Sequence, residues 1–149
     1  MPWEAQCLDH VAIGVRSLAA SRHWYQRVLG MTDFMTEEPT FVGEDLAFMR
    51  SGGAYLALMR LAGDRAPLRG ARDQKGHFAL RVDGLTFWDL HRRLPALLRE
   101  HRANPAQSTA ILCDDFAVQL SMFFYDPDGN EVEITTWDCE RDMSCAVVA

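Results

Sequence analysis

The chain has few cysteines, no long apolar run and no excess of positive charge. Its four cysteines, Cys7, Cys113, Cys139 and Cys145, form no CxxC pair and match no zinc-knuckle spacing. The N-terminus shows no basic segment followed by an apolar stretch, so no secretion signal is expected. Both features predict free thiols in a reducing, cytoplasmic setting rather than a disulfide framework. No apolar run reaches the roughly 18 residues that a membrane span needs. Lys and Arg number 15 against 21 Asp and Glu, a net charge of −6, and the arginines are scattered. A surface that tracks phosphates needs a basic excess, so the balance speaks against a nucleic-acid partner. What remains is a chain of 149 residues, 48% hydrophobic and 24% charged, ordinary for a globular protein. That length predicts one domain, 1–149, with its own core.

Against these absences stands a short motif that occurs twice. It reads His10-Val11-Ala12-Ile13-Gly14-Val15 near the N-terminus and His77-Phe78-Ala79-Leu80-Arg81-Val82 past the midpoint. In each copy a His opens an apolar strand, Ala follows two residues on, Val five, and Leu eight (Leu18 and Leu85). The copies start 67 residues apart, close to half the chain. Two similar modules are expected, each placing a His at an equivalent point.

The segments behind the two histidines repeat as well. Residues 7–15 read as a strand. Ser17 is an N-cap for a helix over 18–29, which Gly30 ends. Strands are predicted near 31–36, 44–50 and 54–61, with a tight turn at Ser51-Gly52-Gly53. Residues 62–75 read as a linker. The second module, 76–137, then predicts a strand over 76–83 and a helix over 85–102. Pro95 is expected to kink that helix or start a new one. Strands follow near 108–113, 117–125 and 130–137, with Asp126-Pro127-Asp128-Gly129 as a type I turn. The tail, 138–149, has little pattern and reads as loose. Each half is thus β-α-β-β-β, an α+β arrangement in which one sheet face packs on a helix and the other is open to a shared cavity.

Strand alternation sorts the side chains. His10, Ala12 and Gly14 share one face, opposite Val11, Ile13 and Val15. His77, Ala79 and Arg81 share a face, opposite Phe78, Leu80 and Val82. On the last strand Glu131, Glu133 and Thr135 oppose Val132, Ile134 and Thr136. By the hairpin alignment, Ala57 of the first module is equivalent to Glu133 of the second. Both His and Glu133 therefore lie on the open faces beside small residues. Two imidazoles and a carboxylate can hold a divalent metal and leave positions open for water or substrate. Each residue alone also reads as a half-exposed His or a solvated Glu.

At these residues the chain resembles the vicinal oxygen chelate superfamily, which includes glyoxalase I, extradiol dioxygenases, methylmalonyl-CoA epimerase, fosfomycin-modifying enzymes and bleomycin-binding proteins. The matching segments are LDHVAIGV with SRHWYQRVLGM, GHFALRV, and FFYDPDGNEVEI, which span about residues 7–137. The resemblance implies two βαβββ modules, 7–61 and 76–137, forming a cupped, barrel-like mixed sheet around one divalent metal. By position it carries the ligand role to His10, His77 and Glu133, for Fe2+, Mn2+, Ni2+ or Zn2+. It also implies a homodimer in which two chains can swap modules and share each site.

Departures from the family pattern discriminate among its members. The fourth ligand of glyoxalase I and the epimerase falls here at Ala57, or at Met59 in a shifted register, and neither binds a hard ion. The catalytic Thr of the fosfomycin enzymes falls at Ala12. The acidic Tyr of extradiol dioxygenases falls at Phe123, and Tyr125 on the same face is either a substitute donor or a packing residue. Arg81 has two readings, an anchor for an anionic substrate group or a salt bridge to Glu131. Phe123 and Trp137 can line the pocket mouth. Trp24, Tyr25 and Trp88 read as core, and His23, His91 and His101 as helix surface. The expectation is a metal-dependent enzyme acting on vicinal oxygens of a small organic substrate, dioxygenase-type chemistry ahead of lyase or isomerase. The alternative is a drug-sequestering protein like those that confer bleomycin resistance.

Overall fold

A computed structural model describes residues 5–37, 43–62 and 76–138. Most of the expected linker, the whole tail beyond 138, and both Cys139 and Cys145 lie outside them. The first module runs β1 (Val11–Val15), α1 (Leu18–Leu29), β2 (Thr32–Phe34), β3 (Leu46–Ser51) and β4 (Ala54–Arg60). The second runs β5 (His77–Arg81), α2 (Gly84–Glu100), β6 (Leu112–Asp115), β7 (Leu120–Tyr125) and β8 (Glu131–Thr136). Each module forms a four-stranded mixed sheet, ordered β1-β4-β3-β2 and β5-β8-β7-β6. The crossover helix makes β1 parallel to β4 and β5 parallel to β8, and the hairpins make the other pairs antiparallel. Among the described residues the two sheets stay separate and do not close into a barrel.

Local chemistry sets the element ends. The Ser17 hydroxyl accepts from the Ala20 amide at 3.3 Å, and Gly30, at φ 62°, closes α1 by donating to the Tyr25 carbonyl. Asp83 caps α2 in the same way, accepting from the Thr86 amide at 2.8 Å. The helix runs on through Pro95 and is not restarted there. Pro95 removes one bond to the His91 carbonyl, but Leu94 and Leu98 on either side are fully buried. Their packing carries the helix past the proline. Two strands are shorter than the periodicity predicts because the backbone turns early. Met35 (φ 57°) ends β2, and Ala117 (φ 70°) turns the chain between β6 and β7. Arg102 Nε donates to the Gln107 carbonyl, and the Gln107 and Asn104 side chains accept from the Ala103 and Ala106 amides, a folded loop that delays β6 to residue 112.

The helix-facing sides of both sheets share one core. Val15, Met49, Leu56 and Leu58 of the first module meet Met122, Phe124, Val132 and Ile134 of the second, around Trp24, Tyr25 and Leu98. Trp24 lies 6.2 Å from Phe124 between ring centroids. Each such side chain contributes about 1.5–3 kcal/mol by leaving water. Trp88 is only partly buried. Packing the helix-facing sides against each other leaves the opposite faces of both sheets without a covering layer among the described residues.

Candidate metal and substrate site

The open face of the second sheet holds a buried carboxylate in contact with a histidine. Parallel pairing sets Ala79 opposite Glu133 and His77 opposite Glu131. His77 Nε2 lies 2.7 Å from Glu133 Oε2, and His77 Nδ1 lies 3.7 Å from Glu131 Oε1. The Glu133 side chain is only 7% exposed. Burying an ionised carboxylate is costly unless hydrogen bonds compensate. Here the Ser121 hydroxyl donates to Oε1 at 2.6 Å and the Gln119 amide at 3.3 Å, while Gln119 also reaches the Thr135 hydroxyl at 2.6 Å. Oε1 is thus held, and Oε2 is turned toward the imidazole. The Phe123 ring stands edge-on to His77 at 5.6 Å.

The first sheet repeats this arrangement with the carboxylate missing. Ala12 is opposite Ala57, and Phe48 is opposite Ala57 on the other side, as Phe123 is opposite Glu133. Ala57 therefore occupies the Glu133 position. Its small side chain lets the His10 and Phe48 rings meet edge-on at 5.4 Å. His10 sits one residue before β1, half-exposed, with Nδ1 2.6 Å from Asp9 Oδ2. Phe34 and Tyr55 extend the same face as an aromatic pair 4.9 Å apart, with the Arg50 guanidinium 5.4 Å above Phe34.

Of the three expected ligands, one chain brings two together. His77 and Glu133 touch, whereas His10 belongs to the other sheet. Among the described residues no three His, Cys, Asp or Glu side chains converge as a metal set. The donors still suit a divalent ion: an imidazole nitrogen and a carboxylate whose second oxygen is fixed by hydrogen bonds, the support that metal ligands require. Gln119 and Ser121 escape the sequence reading. The signal that could have found them is alternation, which puts 119, 121, 123 and 125 on one face.

The remaining candidates are also placed. Arg81 makes no salt bridge to Glu131; its guanidinium lies 5.5 Å above the Trp137 ring. Glu131 instead accepts from the Tyr125 hydroxyl at 3.0 Å. That corrects the packing reading of Tyr125, which is exposed and held by this bond. The donated bond to Glu131, then partial burial, raises its phenol above the ordinary value. His23 and His101 contact each other at 5.9 Å, and His91 contacts Trp88 at 5.6 Å, all on the helices or just beyond them. A cavity of about 490 Å3 lies at the N-terminal end of α1, but its arginines are engaged, Arg16 by Asp128, Arg22 by Asp33 and Arg60 by Asp45.

The Asp-Pro-Asp-Gly turn does more than reverse the chain. The Asp126 carboxylate accepts from the amides of Asp128 and Asn130 at 2.9 and 2.8 Å, from the Asn130 side chain at 2.9 Å, and from the Tyr25 hydroxyl at 3.0 Å. Asp128 accepts from Arg16 Nε at 2.8 Å and the Ser21 hydroxyl at 3.1 Å. Asn130 donates to the Gly14 carbonyl at 3.1 Å. These bonds tie the second module's turn to β1 and α1 of the first. Burial pushes the Asp126 acid above its ordinary value, opposed by its hydrogen bonds. Burial, reinforced by Asp126, pushes the Tyr25 phenol up strongly.

A family model described as the Glyoxalase/Bleomycin resistance protein/Dioxygenase superfamily matches residues 7–134. Three solved structures show the same fold. A glyoxalase/dioxygenase from Nostoc punctiforme is 22% identical, with a TM-score of 0.61 over 88% of this chain and 90% of that one. A lactoylglutathione lyase from Agrobacterium tumefaciens is 21% identical, with a TM-score of 0.61 over 89% and 95%. A point mutant of the fosfomycin resistance protein FosX from Listeria monocytogenes, complexed with Mn(II) and 1S,2S-dihydroxypropylphosphonic acid, is 18% identical, with a TM-score of 0.61 over 88% and 92%.

Proposed function

We propose, from the premise that the chain belongs to the glyoxalase/bleomycin resistance protein/dioxygenase superfamily, that it is a divalent-metal enzyme acting on adjacent oxygens of a small organic substrate. The observation that carries this reading is the buried Glu133 carboxylate, fixed on one oxygen and turned toward His77 on the other. His77 and Glu133 supply two protein ligands. His10 supplies the third from the first module of a second chain, so the active unit is a homodimer with two shared sites. The ion is Fe2+, Mn2+, Ni2+ or Zn2+, which all accept imidazole and carboxylate ligands.

When bound, the ion supplies Lewis acidity to the substrate oxygens. The chain's residues do the rest. Ser121 and Gln119 hold the Glu133 carboxylate in position, Phe123 packs the His77 ring, and the Tyr125 hydroxyl presents a proton donor shared with Glu131. Phe34, Phe48 and Tyr55 of the opposing module exclude water from the other wall of the pocket. With Ala57 in the fourth-ligand place, three protein ligands leave an additional position open. That supports dioxygenase-type chemistry ahead of lyase or isomerase chemistry.

Metal analysis of protein purified without chelator tests the reading. One divalent ion per chain is expected, lost in both His10→Ala and Glu133→Ala, together with a dimer by sedimentation. Full metal occupancy in both variants would refute the ligand assignment. A second reading, a metal-free drug-sequestering protein, is favoured by the aromatic face of Phe34, Phe48 and Tyr55. It predicts no bound metal and unchanged ligand affinity in Glu133→Ala.

A further inference from the structure

Resting on the proposed site, we infer that Arg81 and Trp137 form a carboxylate subsite, so that the substrate is a small acid whose carboxylate lies across the molecule from its metal-facing oxygens. Arg81 shares the open face of β5 with His77, separated from it along the strand only by small Ala79. It pairs with Thr135, two residues beyond Glu133 on β8. Two strand residues set the anion-binding end about 7 Å from the Glu133 position along the sheet.

Three observations make this arginine a receptor and not a structural cation. No carboxylate among the described residues pairs with it. Both acids on its own face are engaged elsewhere, Glu133 by His77, Ser121 and Gln119, and Glu131 by Tyr125 and His77. Its guanidinium is parked over the Trp137 ring at 5.5 Å, which orders the side chain without using its in-plane N–H donors. Those donors form a planar fork that matches a carboxylate edge to edge. Trp137 is 55% exposed, so an apolar ring or chain joining the two ends of the ligand can rest beside it. By contrast, Arg16, Arg22 and Arg60 are each matched to an aspartate. Arg50 is likewise parked over a ring, Phe34, on the first sheet, but among the described residues Arg81 is the arginine on the strand face that carries His77 and Glu133.

The test compares two probes, catechol and 3,4-dihydroxybenzoate, which carry the same adjacent oxygens and differ by one carboxylate. Binding is followed by tryptophan fluorescence and calorimetry on the full chain, with and without added Mn2+. The wild type should bind 3,4-dihydroxybenzoate about tenfold more tightly than catechol. Arg81→Ala should erase that preference while leaving catechol affinity and metal content unchanged, and Arg81→Lys should restore only part of it. Trp137→Phe should remove the fluorescence response but keep the calorimetric preference. If metal binds but neither wild type nor variant prefers the carboxylate, the subsite is wrong and the metal site stands. If no metal binds yet the carboxylate preference persists and depends on Arg81, the subsite stands and the metal reading falls. A preference undiminished in Arg81→Ala overturns the inference in either form.

Discussion

Tyr25→Phe isolates the polar clamp between the two modules. The substitution keeps the ring, which is fully buried against Trp24 at 4.9 Å, and removes only the hydroxyl that donates to Asp126. No cavity forms, so the cost is that of one hydrogen bond to a buried carboxylate. Bonds to charged groups contribute about 1.5–3 kcal/mol. Asp126 keeps its other donors, the amides of Asp128 and Asn130 and the Asn130 side chain, which places the loss near the lower end, about 1.5–2 kcal/mol. For a chain of this size that lowers Tm by roughly 3–8 °C. The pH dependence has a definite sign. Burial raises the Asp126 acid above its ordinary value, so the folded state holds its proton at pH values where the unfolded chain has lost it. Stability from this group is greatest below the unfolded value and falls as pH rises through the folded one. The Tyr25 bond favours the ionised form and lowers the Asp126 value, so removing it raises that value further. The deficit of Tyr25→Phe should therefore be full at about pH 8 and shrink toward about pH 4. Thermal unfolding followed by circular dichroism at both pH values reads this. A Tm within about 1 °C of wild type at pH 8, or a deficit that grows as pH falls, would refute the clamp.

Other substitutions test separate features. Ser121→Ala frees Oε1 of Glu133 from its shortest bond and should weaken metal affinity by about 10–100-fold in a chelator competition, with stoichiometry unchanged. Unaltered affinity would remove Ser121 from a supporting role. Pro95→Ala restores the missing bond to the His91 carbonyl within α2 and should stabilise the chain by about 1–3 kcal/mol in urea unfolding; a loss of stability would mean that the proline ring packs better than an alanine. Gly30→Ala forces a Cβ into the left-handed region at φ 62°, with open space around it, and should cost about 1 kcal/mol through backbone strain alone.

Secondary structure is legible where local chemistry and periodicity agree. The helix over 18–29 is bounded by a serine that caps and a glycine that can turn left-handed, and both act as their chemistry dictates. The strand expected from 108 starts later because Arg102, Asn104 and Gln107 fold a loop through side-chain bonds that no hydropathy pattern records. Pro95 departs from expectation for the opposite reason: a strong local signal yields to the buried Leu94 and Leu98 beside it. The paired aspartates around Pro127 read as a turn, and they are one, but they also accept from Arg16, Ser21 and Tyr25, more than 100 residues away in sequence. Such long-range bonds leave no mark on a local pattern.

Faces of strands are more legible than the site they form. Alternation places His77 and Glu133 on one surface, and the register brings them into contact. The same rule places His10 on the open face of the other sheet, but alternation says nothing about how two sheets are oriented. The shared core decides that. Because Trp24, Phe124 and Leu98 pack the helix-facing sides against each other, the open faces have no partner within the described residues. In the proposed site, a third ligand from His10 therefore comes from a second copy. The replacement of a carboxylate by Ala57 is what makes this asymmetric. Without it each chain would carry two equivalent His–carboxylate pairs. With it, one module offers a buried acid and a histidine, and the other offers a histidine backed by Phe48 across a small residue. Replacing Ala57 by Glu should supply the missing carboxylate, and it tests this division of labour. Metal affinity should rise in calorimetric titration, and the gain should vanish when His10 is also replaced by Ala. A gain that survives His10→Ala would place the new carboxylate, and with it the whole first module, outside the site.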